Sequence, residues 1–281
     1  MKYYLITGVS TGIGKDACEY LINKGNFVFG SVRKAADANA LENKYPNKFK
    51  ALIFDVTDDA AIANALTVVK QTIGNQGLAG LINNAGIAVF GPLKHLPLEE
   101  FKQQMDVNVY GVLRVTQTFL PLLGAEKDSP YPPGKIINIS SVASLFTSPF
   151  VVPYCASKAV VEVISDGLRM ELLPYGIDVV SIKPGPVKTP IWEKSKKPKP
   201  QYDNTDYGKA LKNTMKMVAK IESKAIDVQR ISRLIYGILN GTKRKPHYVI
   251  TANPWPMRIA RMLPHRWVDG FIKKQLMKAW N

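Results

Sequence analysis

Tyr154 and Lys158 stand four residues apart in Tyr154-Cys155-Ala156-Ser157-Lys158, at the start of a helical pattern. Residues i and i+4 share one helix face, so the phenol and the ammonium can meet in one site. A nearby cation favours phenolate and brings the phenol towards use as a proton donor or acceptor near neutral pH. A lone Tyr-x-x-x-Lys is more often a surface pair, so its companions decide the reading. A second signal is Thr7-Gly8-Val9-Ser10-Thr11-Gly12-Ile13-Gly14, which follows an apolar run and opens a helical one. Glycines there permit positive φ and let backbone approach a pyrophosphate at a helix N-terminus. Gly8, Ser10, Thr11, Gly12, Ile13 and Gly14 are the candidate contacts, although the G-x-x-x-G-x-G spacing is not the commoner G-x-G-x-x-G. The next apolar run ends Gly30-Ser31-Val32-Arg33-Lys34, with Arg33 19 residues after Gly14 and no acid between Phe27 and Lys34. NAD sites place an Asp or Glu there, whereas an Arg accommodates a 2′-phosphate. With Lys15 adding positive charge, NADP(H) is preferred over NAD(H).

These residues need a frame that brings distant loops together. Apolar runs at Tyr3–Thr7, Phe27–Ser31, Lys50–Asp55, Leu78–Asn83, Lys135–Ser140 and Asp178–Lys183 lack clean alternation, as expected of parallel strands covered on both faces. Helical patterns at about Ile13–Lys24, Asp58–Ile73, Leu98–Leu123 and Val152–Pro174 lie between them. The alternation predicts an α/β fold, a doubly wound parallel sheet of Rossmann type with about seven strands and helices on both faces. Further helices are expected at Gly208–Ile221 and Ile226–Leu239 and a last strand at Tyr248–Thr251, with a helical basic C-terminal extension. The expected organisation is one domain over 1–281: a cofactor and catalytic core (1–185), a substrate lid (186–225) and a basic aromatic tail (253–281).

Composition narrows the classes further. With 281 residues, 46% hydrophobic and 21% charged, the chain can bury a large core and is not a disordered, collagen-like or coiled-coil protein. Three histidines and two cysteines in no ligand spacing predict no metal centre. The N-terminus enters a strand-like run at once and no apolar run could span a membrane, so a cytoplasmic chain is expected. The net charge of +16 lies wholly in one segment: residues 1–182 hold 16 basic and 16 acidic residues, and residues 183–281 hold 22 and 6. Such a bias points to a local anionic partner. Trp267, Phe271, Ile272 and Leu276 fall near helical spacing with Lys273, Lys274 and Lys278 between them. That pattern fits a helix capping a substrate pocket or an interface, and it also fits peripheral contact with an anionic membrane. No nucleic-acid motif accompanies it. Trp192 falls where a lid would begin and is a candidate substrate contact; Cys18 and Cys155 read as packing, and His95 as exposed loop.

Further motifs occur in strict order between and just beyond the two first signals. Asp55-Val56 follows the third apolar run, Asn83-Asn84-Ala85-Gly86 the fourth, and Asn108-Val109-Tyr110-Gly111 lies in the long helical pattern. Ile139-Ser140-Ser141 ends the fifth run, 13 residues before Tyr154, and Pro184-Gly185-Pro186-Val187-Lys188-Thr189 follows the sixth. Over residues 1–190 the chain resembles the short-chain dehydrogenase/reductase family, in its single-domain branch. The resemblance implies a Ser-Tyr-Lys-Asn site. Tyr154 would be the general acid in reduction and the base in oxidation, and Lys158 would lower its pKa and bind the nicotinamide ribose. Ser141 would hold the carbonyl oxygen, and Asn108 would fix a water linking Lys158 to a proton relay. Asp55 and Val56 would sit by the adenine. Asn84, Ala85, Gly86, Pro184, Gly185, Val187 and Thr189 would line the cofactor. One departure is Ser144, where the family often carries glycine, beside the substrate.

The second strand, the Tyr154 segment and the basic tail look like the hydroxysteroid and retinol dehydrogenase group. That implies a bulky hydrophobic carbonyl or alcohol as the small-molecule substrate, steroid-, retinoid- or lipid-like. The rival reading is a non-catalytic NADP(H)-binding sensor on the same fold, against which the intact Ser141, Tyr154, Lys158 and Asn108 argue. Substrate identity, direction and the size of any homo-oligomer stay open.

Overall fold

Neighbouring residues of each strand bury into opposite layers, which is why the strands read as continuous apolar runs. The computed structural model describes residues 1–190, 200–222, 225–253 and 263–280. Its strands are β1 (Tyr3–Ile6), β2 (Phe27–Val32), β3 (Phe49–Ile53), β4 (Gly80–Asn83), β5 (Lys135–Ile139), β6 (Asp178–Pro184) and β7 (His247–Ile250). All pair in parallel, in the order β3-β2-β1-β4-β5-β6-β7. Tyr4, Ile6, Val28, Ile82, Ile137 and Val180 enter one core layer. Tyr3, Leu5, Phe29, Leu81, Ile136 and Val179 enter the other.

The helices divide between those layers. The first is covered by α1 (Gly12–Asn23), α2 (Ala35–Lys44) and α8 (Gln229–Leu239), through Leu21, Leu41, Ile231, Ile235 and Ile238. The second is covered by α3 (Asp59–Ile73), α5 (Gly111–Phe119) and α6 (Val152–Glu171), through Ile62, Val69, Val115, Phe119 and Leu168. The chain leaves β3 at one edge and crosses to β4 on the far side of β1. That switch opens a crevice beyond the carboxyl ends of β1 and β4, where α/β sheets bind ligands. A buried polar chain ties the strands beside it. Asn83 donates to Thr116 (2.9 Å) and Asn138 (2.8 Å), and Asn138 donates to Ser165 (2.8 Å).

Two local features differ from the sequence expectations. Helix α2 is not evident from the sequence because only its Ala38 and Leu41 are buried, too few for a clear apolar stripe. The long pattern Leu98–Leu123 divides into α4 (Leu98–Met105), a π-turn (Asp106–Tyr110), α5 and a 3₁₀ turn (Pro121–Leu123). At the π-turn's end, a Cβ on Gly111 would lie 2.7 Å from Val56 Cγ2, so only glycine allows that approach. The tail forms α9 (His265–Trp280), which packs on α7 (Gly208–Glu222). Leu276 rests on a small third core of Phe150, Tyr202, Ala210 and Leu211, as a capping helix would. Trp267 (71%) and Phe271 (63%) stay exposed. Trp192 and the lysine run beside it, like Trp255, lie outside the described residues. Among the described residues no helix is long and apolar enough to cross a membrane.

Ile235 is fully buried between α8 and the sheet. Ile235→Ala should lose about 2–5 kcal/mol of stability by urea denaturation. A loss below about 1 kcal/mol would mean that α8 is not part of the cooperative core.

Candidate active site

The end of β1 and the end of β4 are knitted together by side chains. Thr7 Oγ1 accepts from the backbone N–H groups of Asn84 and Ala85, both at 2.9 Å. Asn84 Nδ2 donates back to the carbonyls of Thr7 (2.9 Å) and Gly8 (3.1 Å). This closeness explains Gly14, whose Cβ would lie 2.3 Å from Gly8 O and 2.4 Å from Asn84 Nδ2. Gly8 and Gly12 have φ of +72° and +61°, a region that disfavours side chains. Helix α1 then starts with no side-chain cap and no acid in its first turn. Its first backbone N–H groups and positive dipole end therefore suit an anion.

Arg33 follows β2 and faces Asp55, which follows β3. Their closest atoms are 3.7 Å apart, with side chains 66% and 38% exposed. An exposed, loose pair of this kind holds the guanidinium weakly. It can turn to a phosphate, and Asp55 stays tethered by the backbone N–H and hydroxyl of Thr57. Lys15 is exposed and does not wall the cavity.

At the other end, Ser141 caps the 3₁₀ turn Val142–Ser144. Its Oγ accepts from Ala143 N–H (3.1 Å), leaving the hydroxyl hydrogen to be donated. Ser144 donates to the Ser141 carbonyl at 2.7 Å, so the residue that replaces the family's glycine fastens the turn that carries Ser141. Tyr154 lies in the first turn of α6, buried, its phenol hydrogen-bonded with Ser141. Burial pushes the phenol up to about 12, and the Ser141 bond pulls the other way. The sequence led us to expect Lys158 to lower it; in the chain alone, desolvation wins. Lys158 is also buried and donates to the Ile139 carbonyl (2.8 Å), with its Nζ 5.9 Å from the Tyr154 ring centre. Burial brings its ammonium down to about 8, opposed by the negative charge of Glu162.

Asn108 sits in the π-turn, fully buried. Its Oδ1 accepts from Ile87 N–H (2.9 Å), and its Nδ2 donates to Ile87 O (3.0 Å) and Ser157 Oγ (3.1 Å). The carboxamide thus holds the Ile87 backbone, a cavity wall, and does not reach Lys158 directly.

These groups surround one cavity of about 500 Å³. Of the residues that the sequence marks for the cofactor, all but Gly14 wall it, as do Ser141, Tyr154 and Lys158. Gly14 and Asn108 act from behind the wall. The sequence missed further walls of the cavity, among them Phe90, Phe146, Val151 and Thr214. They are scattered single residues and carry no motif. A phenol and a hydroxyl side by side can both donate to one substrate oxygen.

A family model described as short chain dehydrogenase matches residues 2–200. The chain belongs to the short-chain dehydrogenase family. Across nearly its whole length this short-chain dehydrogenase is similar to an NADPH-dependent 3-dehydrocapnine reductase of Ornithobacterium rhinotracheale. The two are 43% identical over 279 residues, 99% of this chain and 98% of that protein. Retinol dehydrogenase 7 of Mus musculus is 37% identical over 190 residues, 68% of this chain and 58% of that one. A short-chain dehydrogenase from Burkholderia cenocepacia, solved with NADP, shares the fold. Its TM-score is 0.72 at 22% identity, with 97% of this chain and 99% of that one covered.

Arg33 supplies the positive charge at the second strand's end of this dehydrogenase. Arg33→Ala should reduce affinity for NADPH at least about tenfold and leave NADH within about twofold, read by fluorescence titration. An unchanged preference would move 2′-phosphate recognition elsewhere.

Proposed function

We propose that this short-chain dehydrogenase is an NADPH-dependent reductase of a hydrophobic ketone, with 3-dehydrocapnine the first substrate to test. The observation that carries the reading is one cavity that joins an uncapped helix N-terminus and Arg33 at one end to Ser141, Tyr154 and Lys158 at the other. The named relative supports both cofactor and substrate, because it aligns through the tail as well as the core. Bound NADPH would supply the hydride to the carbonyl carbon.

The chain's own groups would handle the oxygen. Ser141, one of whose lone pairs accepts from the Ala143 N–H, donates its hydrogen to the carbonyl oxygen and fixes its position. Tyr154 then delivers its phenolic proton to the same oxygen as negative charge develops there. The Lys158 ammonium, oriented by the Ile139 carbonyl, stabilises the phenolate left behind and holds the nicotinamide ribose. Asn108 keeps the Ile87 wall in place. Phe90, Phe146 and Val151 receive the substrate's apolar body and keep water from the reacting carbonyl. Residues 1–281 act as one domain in this reading, with α7 and α9 roofing the substrate end. Trp267 and Phe271, exposed beside Arg266, Lys273 and Lys274, would let the roof rest on an anionic lipid surface and meet an apolar substrate there.

Purified protein with NADPH should reduce 3-dehydrocapnine. Tyr154→Phe should lower kcat by about 10²–10⁴ and Ser141→Ala by about 10²–10³, both retaining NADPH binding. Absence of turnover with 3-dehydrocapnine and with a panel of long-chain and steroidal ketones would contradict the proposal.

A further inference from the structure

Glu162 lies one helical turn beyond Lys158 on α6, and its carboxylate is nearly out of water. Oε1 accepts from the Ser181 hydroxyl at 2.6 Å, and Oε2 lies 2.5 Å from Lys183 Nζ on β6. The two side chains are only 15% and 7% exposed. Lys183 Nζ is in turn 3.0 Å from His247 Nδ1 on β7, and His247 Nε2 is 3.1 Å from Asp166 Oδ1, a turn further along α6. Lys158 and Glu162 share one face of α6 at i and i+4, and Glu162 pairs across to Lys183, so positive, negative and positive charge follow one another from the cavity wall into the packing between α6 and the sheet. His247 and Asp166 close its outer end.

The other polar groups on Lys158 carry no charge among the described residues: its Nζ meets the Ile139 carbonyl and lies 5.9 Å from the Tyr154 ring centre, and Ser140 donates to its backbone carbonyl. Glu162, one turn along the same helix, is the negative charge that favours the protonated lysine. Hydride transfer does not require a second buried ion pair. Two ions out of water are also a poor way to gain stability, since apolar residues of similar size often do as well.

We infer that Glu162 is a positioning residue that sets how tightly Lys158 holds its proton, and that Lys183 moderates it. The inference rests on the proposed role of Lys158 beside Tyr154. The sign follows from Coulomb's law in a medium that screens poorly. Without the Glu162 charge, the Lys158 ammonium loses its attraction and meets the repulsion of Lys183 alone, so it releases its proton at lower pH. Without the Lys183 charge, Glu162 acts undiminished and Lys158 keeps its proton to higher pH. Removing both charges brings the titration back towards the parent. A merely structural pair would give no such reversal.

The test needs no substrate. The protein is labelled with carbon-13 at the lysine Cε positions, and the Lys158 resonance is assigned by its loss in Lys158→Arg. Its midpoint is then followed by pH titration in the parent, Glu162→Gln, Lys183→Gln and the double variant. Glutamine keeps a neutral hydrogen-bonding group at each site. The expected result is a shift of roughly one pH unit downward for Glu162→Gln, upward for Lys183→Gln, and little for the double variant. Shifts of the two single variants in one direction, or no shift in either, would overturn the inference. If one single variant folds poorly, the sign of the other against the parent still decides. Should the titration reverse as expected in a protein that reduces no ketone, the functional proposal fails and the charge coupling stands.

Discussion

The Lys158 ammonium is 5% exposed and is held by the Ile139 carbonyl at 2.8 Å. A cation taken from water to such a place must recover its hydration from the protein, or give up its proton. Much of the architecture can be read as meeting that demand. Strand β5 ends so that a carbonyl points at Nζ. Helix α6 places Lys158 and Tyr154 on one face and Glu162 a turn further on. The Asn83–Asn138–Ser165 chain fixes β4, β5 and α6 to one another. The opposing shifts of Tyr154 and Lys158, up to about 12 and down to about 8, record the strength of that desolvation. A ligand that closes the cavity with charge of its own would act on a pair already poised by burial.

The other end of the cavity follows a different constraint, close approach of backbone. Thr7 and Asn84 draw the ends of β1 and β4 together across the switch in strand order. Gly14 is then the residue that fits against Gly8 O, and α1 begins with its N–H groups open. The fold thus supplies a helix end suited to an anion and a buried phenol–ammonium pair within one continuous cavity. Neither feature alone would distinguish a dehydrogenase from a nucleotide-binding protein; the distance-spanning wall between them does.

The legible part of this structure is the part in which residue type is forced. Strands covered on both faces must be apolar throughout, so six of them are found within about two residues from the sequence alone. Gly8, Gly12, Asn84–Gly86, Ser141, Tyr154 and Lys158 are constrained by backbone room or by chemistry, and all of them wall the cavity. Helix α2 was hidden because a solvated helix with two buried residues leaves little pattern. The π-turn was hidden because its extra residue keeps the surrounding helical composition. The remaining cavity walls Phe90, Phe146, Val151 and Thr214 come from three separated segments of ordinary residues, which no spacing rule gathers. Glu162 and Lys183 are 21 positions apart, and only the pairing of α6 with β6 makes them one group. Burial also reversed the expected shift at Tyr154, because a sequence shows the neighbouring charge but not the missing water.

In the proposed reaction, hydride passes directly to a carbonyl held between Ser141 and Tyr154. The most direct measurement uses NADPH carrying deuterium at the transferring nicotinamide position, with 3-dehydrocapnine as acceptor and mass spectrometry of the product. The account predicts deuterium on the carbinol carbon of the alcohol, at a rate that collapses in Tyr154→Phe. An alcohol formed without label, or formed as fast by Tyr154→Phe, would contradict it.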